Sequence, residues 1–334
     1  MPAFSFGSPR RNPSPGIVIR PSARRLFPFI GRAGGLALLA WLAAPAARAL
    51  AHEGQPPAPH DIWAAWSWEP AVLIGLAFTG WAYASGIRAL WQQAGPGRGV
   101  SRRQALAFAA GLLFVFIALI SPVDRLGEAI FAGHMVQHML LIYVAGPLLV
   151  YGAPPAALAW AVPGRWRVPL SRGWHRQKKL RSLAGFAVHP FTIWVLHAAA
   201  MWVWHLPRLY DLAVANPIFH ALEHASFLGT ALLFWWAVLY GMRQANGVGF
   251  SILYLFTMML ISGLLGALIT FAPAAWYTSH LESTAAWNLT PLEDQQLAGV
   301  IMWVPAGIVY LGIVLARLGS LISQQEQKDR SPVK

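Results

Sequence analysis

Apolar residues fill seven long stretches of the chain, and the links between these stretches carry most of the charged residues. About 20 apolar residues in an α-helix span the hydrocarbon core of a bilayer, because each residue adds ~1.5 Å of length. The pattern therefore predicts an all-α, polytopic membrane protein, a bundle of seven transmembrane helices. The predicted spans are residues 70–90, 105–120, 131–151, 186–206, 218–240, 250–272 and 297–319.

A different pattern precedes these spans. Residues 1–26 are rich in Pro, Ser and Arg, and a short apolar core follows them and ends in Ala-Leu-Ala at 49–51. A basic region, an apolar core and a small-residue site in that order are typical of a secretory signal. Cleavage after this site would leave His52 as a copper-chelating N-terminus, and the alternative is an uncleaved additional span. The predicted domains are a signal-like segment at 1–51, a periplasmic N-terminal segment at 52–68, the seven-helix membrane domain at 69–321 and a cytoplasmic tail at 322–334.

Composition and charge agree with a membrane protein and orient it. The chain is 57% apolar and 11% charged, with a net charge of +13. Beyond the signal-like segment, sixteen Lys and Arg residues lie on one side of the predicted membrane, and only Arg125 and Arg208 lie on the other. Basic residues concentrate in the cytoplasm, so we expect a bacterial inner-membrane protein with a periplasmic mature N-terminus and a cytoplasmic C-terminus. The strongly basic link 163–181 is expected to face lipid headgroups, and no nucleic-acid partner is predicted.

Histidines recur at four-residue intervals on three of the predicted spans. They are His134 and His138 in the third span, His197 and His205 with Met201 between them in the fourth, and His220 and His224 in the fifth. Met135 and Met139 repeat the spacing one residue later. Residues i and i+4 share one face of a helix, and an imidazole inside a membrane is costly unless a partner satisfies it. We therefore expect these helices to bring their imidazoles together near the periplasmic face, beneath a lid formed by the 273–296 link with His280.

The residue types available narrow the chemistry of such a cluster. The chain has no cysteine, which excludes disulfides and thiolate metal sites. Imidazole and thioether together suit copper, and Cu(I) especially. The predicted metal ligands are His134, His138, His220, His224, His205, Met201 and His197, with Glu223, Asp294, Gln295 and Met302 as supporting residues. Glu223 and Asp294 would orient imidazoles or accept protons, because metal binding requires neutral histidine. No catalytic residue is predicted.

The same residues allow other interpretations. Each imidazole could simply be hydrogen-bonded within the bundle. Facing pairs, His134 with His220 and His138 with His224, could be axial ligands of a haem in an oxidoreductase or cytochrome-like subunit. The sequence HALEH at 220–224 also matches the inverted zinc-peptidase motif, which would need a third ligand and a water-accessible pocket.

Three blocks of sequence, in order, resemble a known family. They are HMVQHMLL followed by GPLLVYGAPP, then WHLPRLYDLAVANPIFHALEHASFL, then DQQLAGVIMWVPAG. These blocks are similar to the signature regions of CtaG-type assembly factors for caa3-type cytochrome c oxidase, and the similarity covers residues 65–320. By block, the resemblance points to His134, His138, His205, His220, His224, Asp294, Gln295 and Met302.

The resemblance carries its own expectations about function. It implies a seven-span membrane protein that is not an enzyme, is needed to make active cytochrome c oxidase and is connected with copper delivery. Oxidase subunits and a periplasmic copper chaperone would then be its partners, and a metal-free assembly scaffold is the remaining alternative.

Overall fold

The computed structural model describes residues 57–242 and 247–330, and within these ranges the chain forms helices and no strand. The predicted signal-like segment at 1–51 and His52 lie outside the described residues. The helices are α1 (Pro70–Ala94), α2 (Arg102–Ile120), α3 (Pro122–Ala129), α4 (Phe131–Tyr151), α5 (Pro154–Ala161), α6 (Gly164–Arg176), α7 (Lys178–Ala187), α8 (Pro190–Trp204), α9 (Pro207–Ala215), α10 (Pro217–Gly241), α11 (Gly247–Thr270) and α12 (Pro291–Arg330).

Six helices in the described part of the chain are long and apolar enough to cross a membrane, namely α1, α2, α4, α10, α11 and α12. They coincide with six of the seven predicted spans, which confirms the all-α, multi-pass membrane fold. The remaining predicted span, 186–206, contains α8, which is only 15 residues long. At ~1.5 Å per residue, α8 reaches about 22 Å, less than the ~30 Å hydrocarbon core. The prediction of seven spanning helices is therefore approximate.

Helix α4 changes its hydrogen-bonding pattern halfway along its length. Residues Leu140–Ala145 form a π turn that ends two residues before Pro147. The ring of a proline lacks an N–H and crowds the preceding turn of an α-helix. The carbonyl of Ile142 in this turn accepts a hydrogen bond from the indole of Trp235 on α10, at 2.7 Å. This bond fixes α4 to α10 one turn beyond His138.

Helix α3 packs closely against the first half of α4. A Cβ atom on Gly133 would collide with the α3 backbone, and one on Gly127 would lie 3.2 Å from the Cα of His134. The side-chain amide of Gln137 donates to the carboxylate of Asp124 at 2.7 Å. Burial raises the pKa of Asp124 to about 7. These contacts set the rotation of α4 about its axis, and they turn its two histidines towards α10.

The basic link between α4 and α8 folds as the three short helices α5, α6 and α7. Helix α5 lies directly on α1, where the carbonyl of Ala157 occupies the space that a Cβ on Gly86 would need. The guanidinium of Arg167 donates to the carbonyls of Val162 and Trp160, and it lies 4.2 Å from the centroid of a Trp160 ring. The basic residues of this link therefore lie at the end of α4 opposite its histidines.

Candidate metal centre

Four buried donor groups from two helices converge between α4 and α10. His134 and His138 come from α4, and Glu223 and His224 come from α10. One ligand atom from each residue lies within 4.8 Å of the ligand atoms of the other three. Nitrogen and oxygen donors about 2.0–2.2 Å from one ion lie within about 4.4 Å of each other. Small side-chain rotations would thus bring all four onto one ion. We call these four residues the His/Glu cluster.

The carboxylate of Glu223 lies between the two imidazoles of α4. Its Oε2 is 3.4 Å from Nε2 of His134, and its Oε1 is 3.8 Å from Nε2 of His138. Among the described residues, these four atoms and Nε2 of His224 have no hydrogen-bond partner. All four side chains are at most 7% exposed, and a buried polar group without a partner costs about 1–3 kcal/mol. A single cation would satisfy these atoms together.

Two of the other predicted ligands border the His/Glu cluster. The ring of His220 lies 4.3 Å from that of His224 and 5.4 Å from that of His134, between centroids. The ring of His205 lies 6.2 Å from that of His138. The i, i+4 pattern therefore does bring imidazoles from α4, α10 and the end of α8 together. His220 and His205 are placed at the edge of the group.

Met201 and His197 have different surroundings. The carbonyl oxygen of Met201 lies 2.6 Å from Nδ1 of His205 and accepts its hydrogen bond. His197 lies two turns before His205, where its Nδ1 is 2.9 Å from the hydroxyl of Thr230 and its ring stacks on Phe234. The structure thus gives Met201 a backbone role at His205 and does not group His197 with the His/Glu cluster.

The sulfur of one methionine that was not among the predicted ligands lies beside His205. The thioether of Met135 on α4 lies 3.4 Å from Nε2 of His205. The spacing of Met135 and Met139, one residue after that of the two α4 histidines, was the available signal. It did not show which methionine would face the end of α8.

The predicted supporting residue Asp294 has a clear structural role. Its carboxylate accepts hydrogen bonds from the backbone N–H groups of Phe131 at 2.7 Å and Ala132 at 2.9 Å. The first N–H groups of a helix have no partner within the helix, and a negative charge there is also favoured by the helix dipole. Asp294 therefore holds the start of α4, just before His134. Met302, from the same helix as Asp294, is buried in the apolar core.

Residues 271–290 link α11 to α12, and we call this link the lid. The Tyr277 hydroxyl donates to the carbonyl of His205 at 2.9 Å. The Tyr277 ring packs with those of Phe131 and Tyr210, with centroids 4.4 and 4.8 Å away. Tyr210 in turn lies 5.3 Å from the ring of His134. The Tyr210 ring therefore lies between Tyr277 of the lid and His134 of the His/Glu cluster.

Two further contacts secure the lid. The side-chain oxygen of Gln295 accepts a hydrogen bond from the N–H of Trp276 at 2.6 Å. Nε2 of His280 lies 2.8 Å from the hydroxyl of Tyr210. Burial lowers the pKa of His280 to about 4, so its imidazole is neutral at physiological pH. Gln295 on α12 thus holds the lid at Trp276, and His280 within the lid holds the Tyr210 hydroxyl.

Asp211 on α9 accepts hydrogen bonds from the lid. Burial alone would raise the pKa of Asp211, but hydrogen bonds from Ser279 and Thr278 outweigh it and hold the pKa below its usual value. A carboxylate with a lowered folded-state pKa contributes stability that is present above its unfolded value of about 3.9 and is lost as the pH falls through the folded value.

We expect hydrogen-exchange protection of the lid, corrected for intrinsic rates, to be constant above about pH 5 and to fall below about pH 4. Asp211→Asn should weaken that protection above about pH 5, where the carboxylate is charged, and flatten the profile. Unchanged protection in Asp211→Asn would contradict this role.

Together, the fold and the site define a class of protein: a helical, multi-pass membrane protein that encloses a compact imidazole–carboxylate cluster between two of its helices. The chain belongs to the cytochrome c oxidase caa3 assembly factor (Caa3_CtaG) family, whose profile matches residues 81–324. This match confirms the resemblance carried by the sequence blocks. It includes all four residues of the His/Glu cluster.

The curated relatives add no function of their own. Uncharacterised proteins of Mycobacterium bovis and Mycobacterium tuberculosis are each 26% identical over 282 residues, which is 83% of this chain and 42% of each relative. An uncharacterised protein of Mycobacterium leprae is 25% identical over 228 residues, 66% of this chain and 34% of its own length. The chain therefore spans less than half the length of the curated relatives it matches. No solved structure matches.

Proposed function

We propose that this protein acts in cytochrome c oxidase assembly by binding copper at the His/Glu cluster and holding it until it is passed on. The observation that carries the proposal is the convergence of four buried donors that have no hydrogen-bond partners among the described residues. Imidazole nitrogen suits first-row metals such as copper, and copper stands above zinc in affinity for a given nitrogen and oxygen site. Copper is also the metal that a haem–copper oxidase must acquire.

Each residue of the site would have its own role in binding copper. His134, His138 and His224 would supply nitrogen ligands, and Glu223 would supply an oxygen ligand whose negative charge offsets that of the ion inside the membrane. A buried carboxylate without a counter-charge is costly, so Glu223 favours a bound cation. His220 is half-buried beside His224. It would bind the ion transiently as the ion enters or leaves the cluster.

The distribution of Lys and Arg supports a periplasmic position for this end of the bundle in a bacterial inner membrane. Copper would then be received and released on the periplasmic side, with oxidase subunits and a periplasmic copper chaperone as partners. The C-terminal end of α12 and the basic link between α4 and α8 would face the cytoplasm and its lipid headgroups.

The packing of the rings favours a single ion over a haem. The rings of the proposed haem pairs lie close together, with 5.4 Å between His134 and His220 and 5.3 Å between His138 and His224. A macrocycle would have to enter between them, and the Phe227 ring already lies 4.5 Å from that of His138. The burial of Glu223, whose exposure is 0%, likewise does not favour a peptidase cleft.

Metal analysis and optical spectroscopy of the purified protein test the proposal. After loading with copper and removal of the excess, we expect retained copper and no Soret band, even when the protein is produced in haem-replete cells. Retention of haem instead of copper would support the cytochrome-like alternative. Protein that retains neither, yet supports oxidase assembly in cells, would support the metal-free scaffold.

A further inference from the structure

A second pair of donor atoms meets beside the His/Glu cluster. Nε2 of His205, at the end of α8, lies 3.4 Å from the sulfur of Met135 on α4. Both side chains are buried, and Phe227 packs beside His205 with 6.0 Å between ring centroids. The pair joins two different helices, so its position depends on the bundle being assembled.

The hydrogen bond on the other side of the ring decides what Nε2 offers to Met135. Nδ1 of His205 lies 2.6 Å from the carbonyl oxygen of Met201. A carbonyl can only accept, so Nδ1 carries the hydrogen, and Nε2 of a neutral imidazole then carries a lone pair. A thioether also offers only lone pairs as an acceptor. Protonating Nε2 as well would bury a cation opposite a weak sulfur acceptor, which is unfavourable. Two acceptors therefore face each other with no proton between them.

We propose that His205 and Met135 form a second copper position, selective for Cu(I), next to the His/Glu cluster. An imidazole with a thioether is a softer donor set than the three imidazoles and one carboxylate of the cluster, and soft thioether ligands select Cu(I). The inference rests on the proposed function, because it assumes that copper is the cargo.

The two positions are close enough for ligand exchange. The rings of His205 and His138 lie 6.2 Å apart. A Cu(I) ion moving between them would exchange bonds to cluster residues for bonds to His205 and Met135, with no electron transferred and no proton required. The Tyr277 hydroxyl bonded to the His205 carbonyl, and the Met201 carbonyl bonded to its ring, hold this acceptor in place.

Met135→Leu tests the second position, with Met201→Leu as a matched control. The two sulfurs belong to side chains that are 1% and 2% exposed, and replacing Met by Leu conserves volume. The Met201 carbonyl that holds His205 is unchanged in Met201→Leu. Copper-edge X-ray absorption of the Cu(I)-loaded protein should show a sulfur ligand in the unaltered protein and in Met201→Leu, and none in Met135→Leu. By competition with a Cu(I) chelator, Met135→Leu should bind Cu(I) at least about tenfold more weakly, with its Cu(II) affinity unchanged.

Different failures separate the two proposals. A sulfur ligand that persists in Met135→Leu, or that is absent from unaltered protein which does bind copper, would overturn the second position and leave the proposed function standing. Absence of copper from the unaltered protein would overturn both. A selenomethionine-labelled sample gives a check without substitution, because a copper–selenium contact is expected in its Cu(I) form, and its absence would count against the inference.

Discussion

Replacing His134 and His138 together with alanine should lower copper affinity by at least about 100-fold, since even residues that only support metal ligands are worth 10–100-fold. The change removes two of the four donors of the His/Glu cluster. The metal-free protein should still fold, because alanine favours helix and the lost ring nitrogens have no hydrogen bond at Nε2. Bound copper at 100 times its Kd should stabilise the unaltered protein by about 2.7 kcal/mol, and the double variant should gain nothing. Metal analysis and thermal unfolding with and without copper measure both effects.

His197→Ala is the matched control for this experiment. Like His134 and His138, His197 is buried, but it lies on α8, is hydrogen-bonded to Thr230 and is outside the His/Glu cluster. Its variant should retain copper like the unaltered protein. Equal copper content in His197→Ala and in the double variant would remove His134 and His138 as ligands. Full oxidase activity in cells that carry only the double variant would favour the metal-free scaffold.

Asp294→Ala should destabilise the protein by about 2–6 kcal/mol, although Asp294 belongs to a different helix from any residue of the His/Glu cluster. The substitution leaves the N–H groups of Phe131 and Ala132 without their acceptor, at about 1–3 kcal/mol for each buried donor. Asp294→Asn should fall between Asp294→Ala and the unaltered protein, because an amide keeps one acceptor oxygen. Because the start of α4 would loosen, copper affinity should fall as well. Chemical or thermal unfolding and copper titration on the same samples measure the two effects.

Glu293→Gln provides the control for Asp294. Glu293 is the exposed neighbour of Asp294, and its carboxylate accepts from the N–H of Thr290 at 2.8 Å. Glutamine can keep that capping contact, so the stability of this variant should be close to that of the unaltered protein. If Asp294 served only to accept protons, Asp294→Asn would be as stable as Glu293→Gln, and the capping role would be wrong.

The sequence predicted those features that depend on local pattern. The span 131–151 coincides with α4 because an apolar run of membrane length begins and ends at the same residues. The pairing of His134 with His138, and of His220 with His224, follows from helical spacing. The span 186–206 was too long, because hydropathy does not record that Pro190 and Pro207 bound α8.

The features that the sequence did not predict depend on contacts between distant segments. Helical spacing assigned Met201 to the face of His205, but His205 follows the last residue of α8, and its ring turns back to the Met201 carbonyl. The ring's other nitrogen then faces Met135, 70 residues earlier. Asp294 lies 163 residues from Phe131, and only the packing of α12 against α4 reveals which N–H groups it caps.

The π turn at Leu140–Ala145 has a consequence for how α4 is built. A π turn holds one residue more than an α turn, and each residue of an α-helix advances the side chains by about 100°. The two halves of α4 are therefore out of phase with one another, as if a single residue had been inserted between them. The half with the imidazoles and the half beyond the turn can thus each present the side that its own neighbours require, and Trp235 bonds to the turn between them. This one extra residue allows the orientation of His134 and His138 to be set independently of the orientation of the second half of α4.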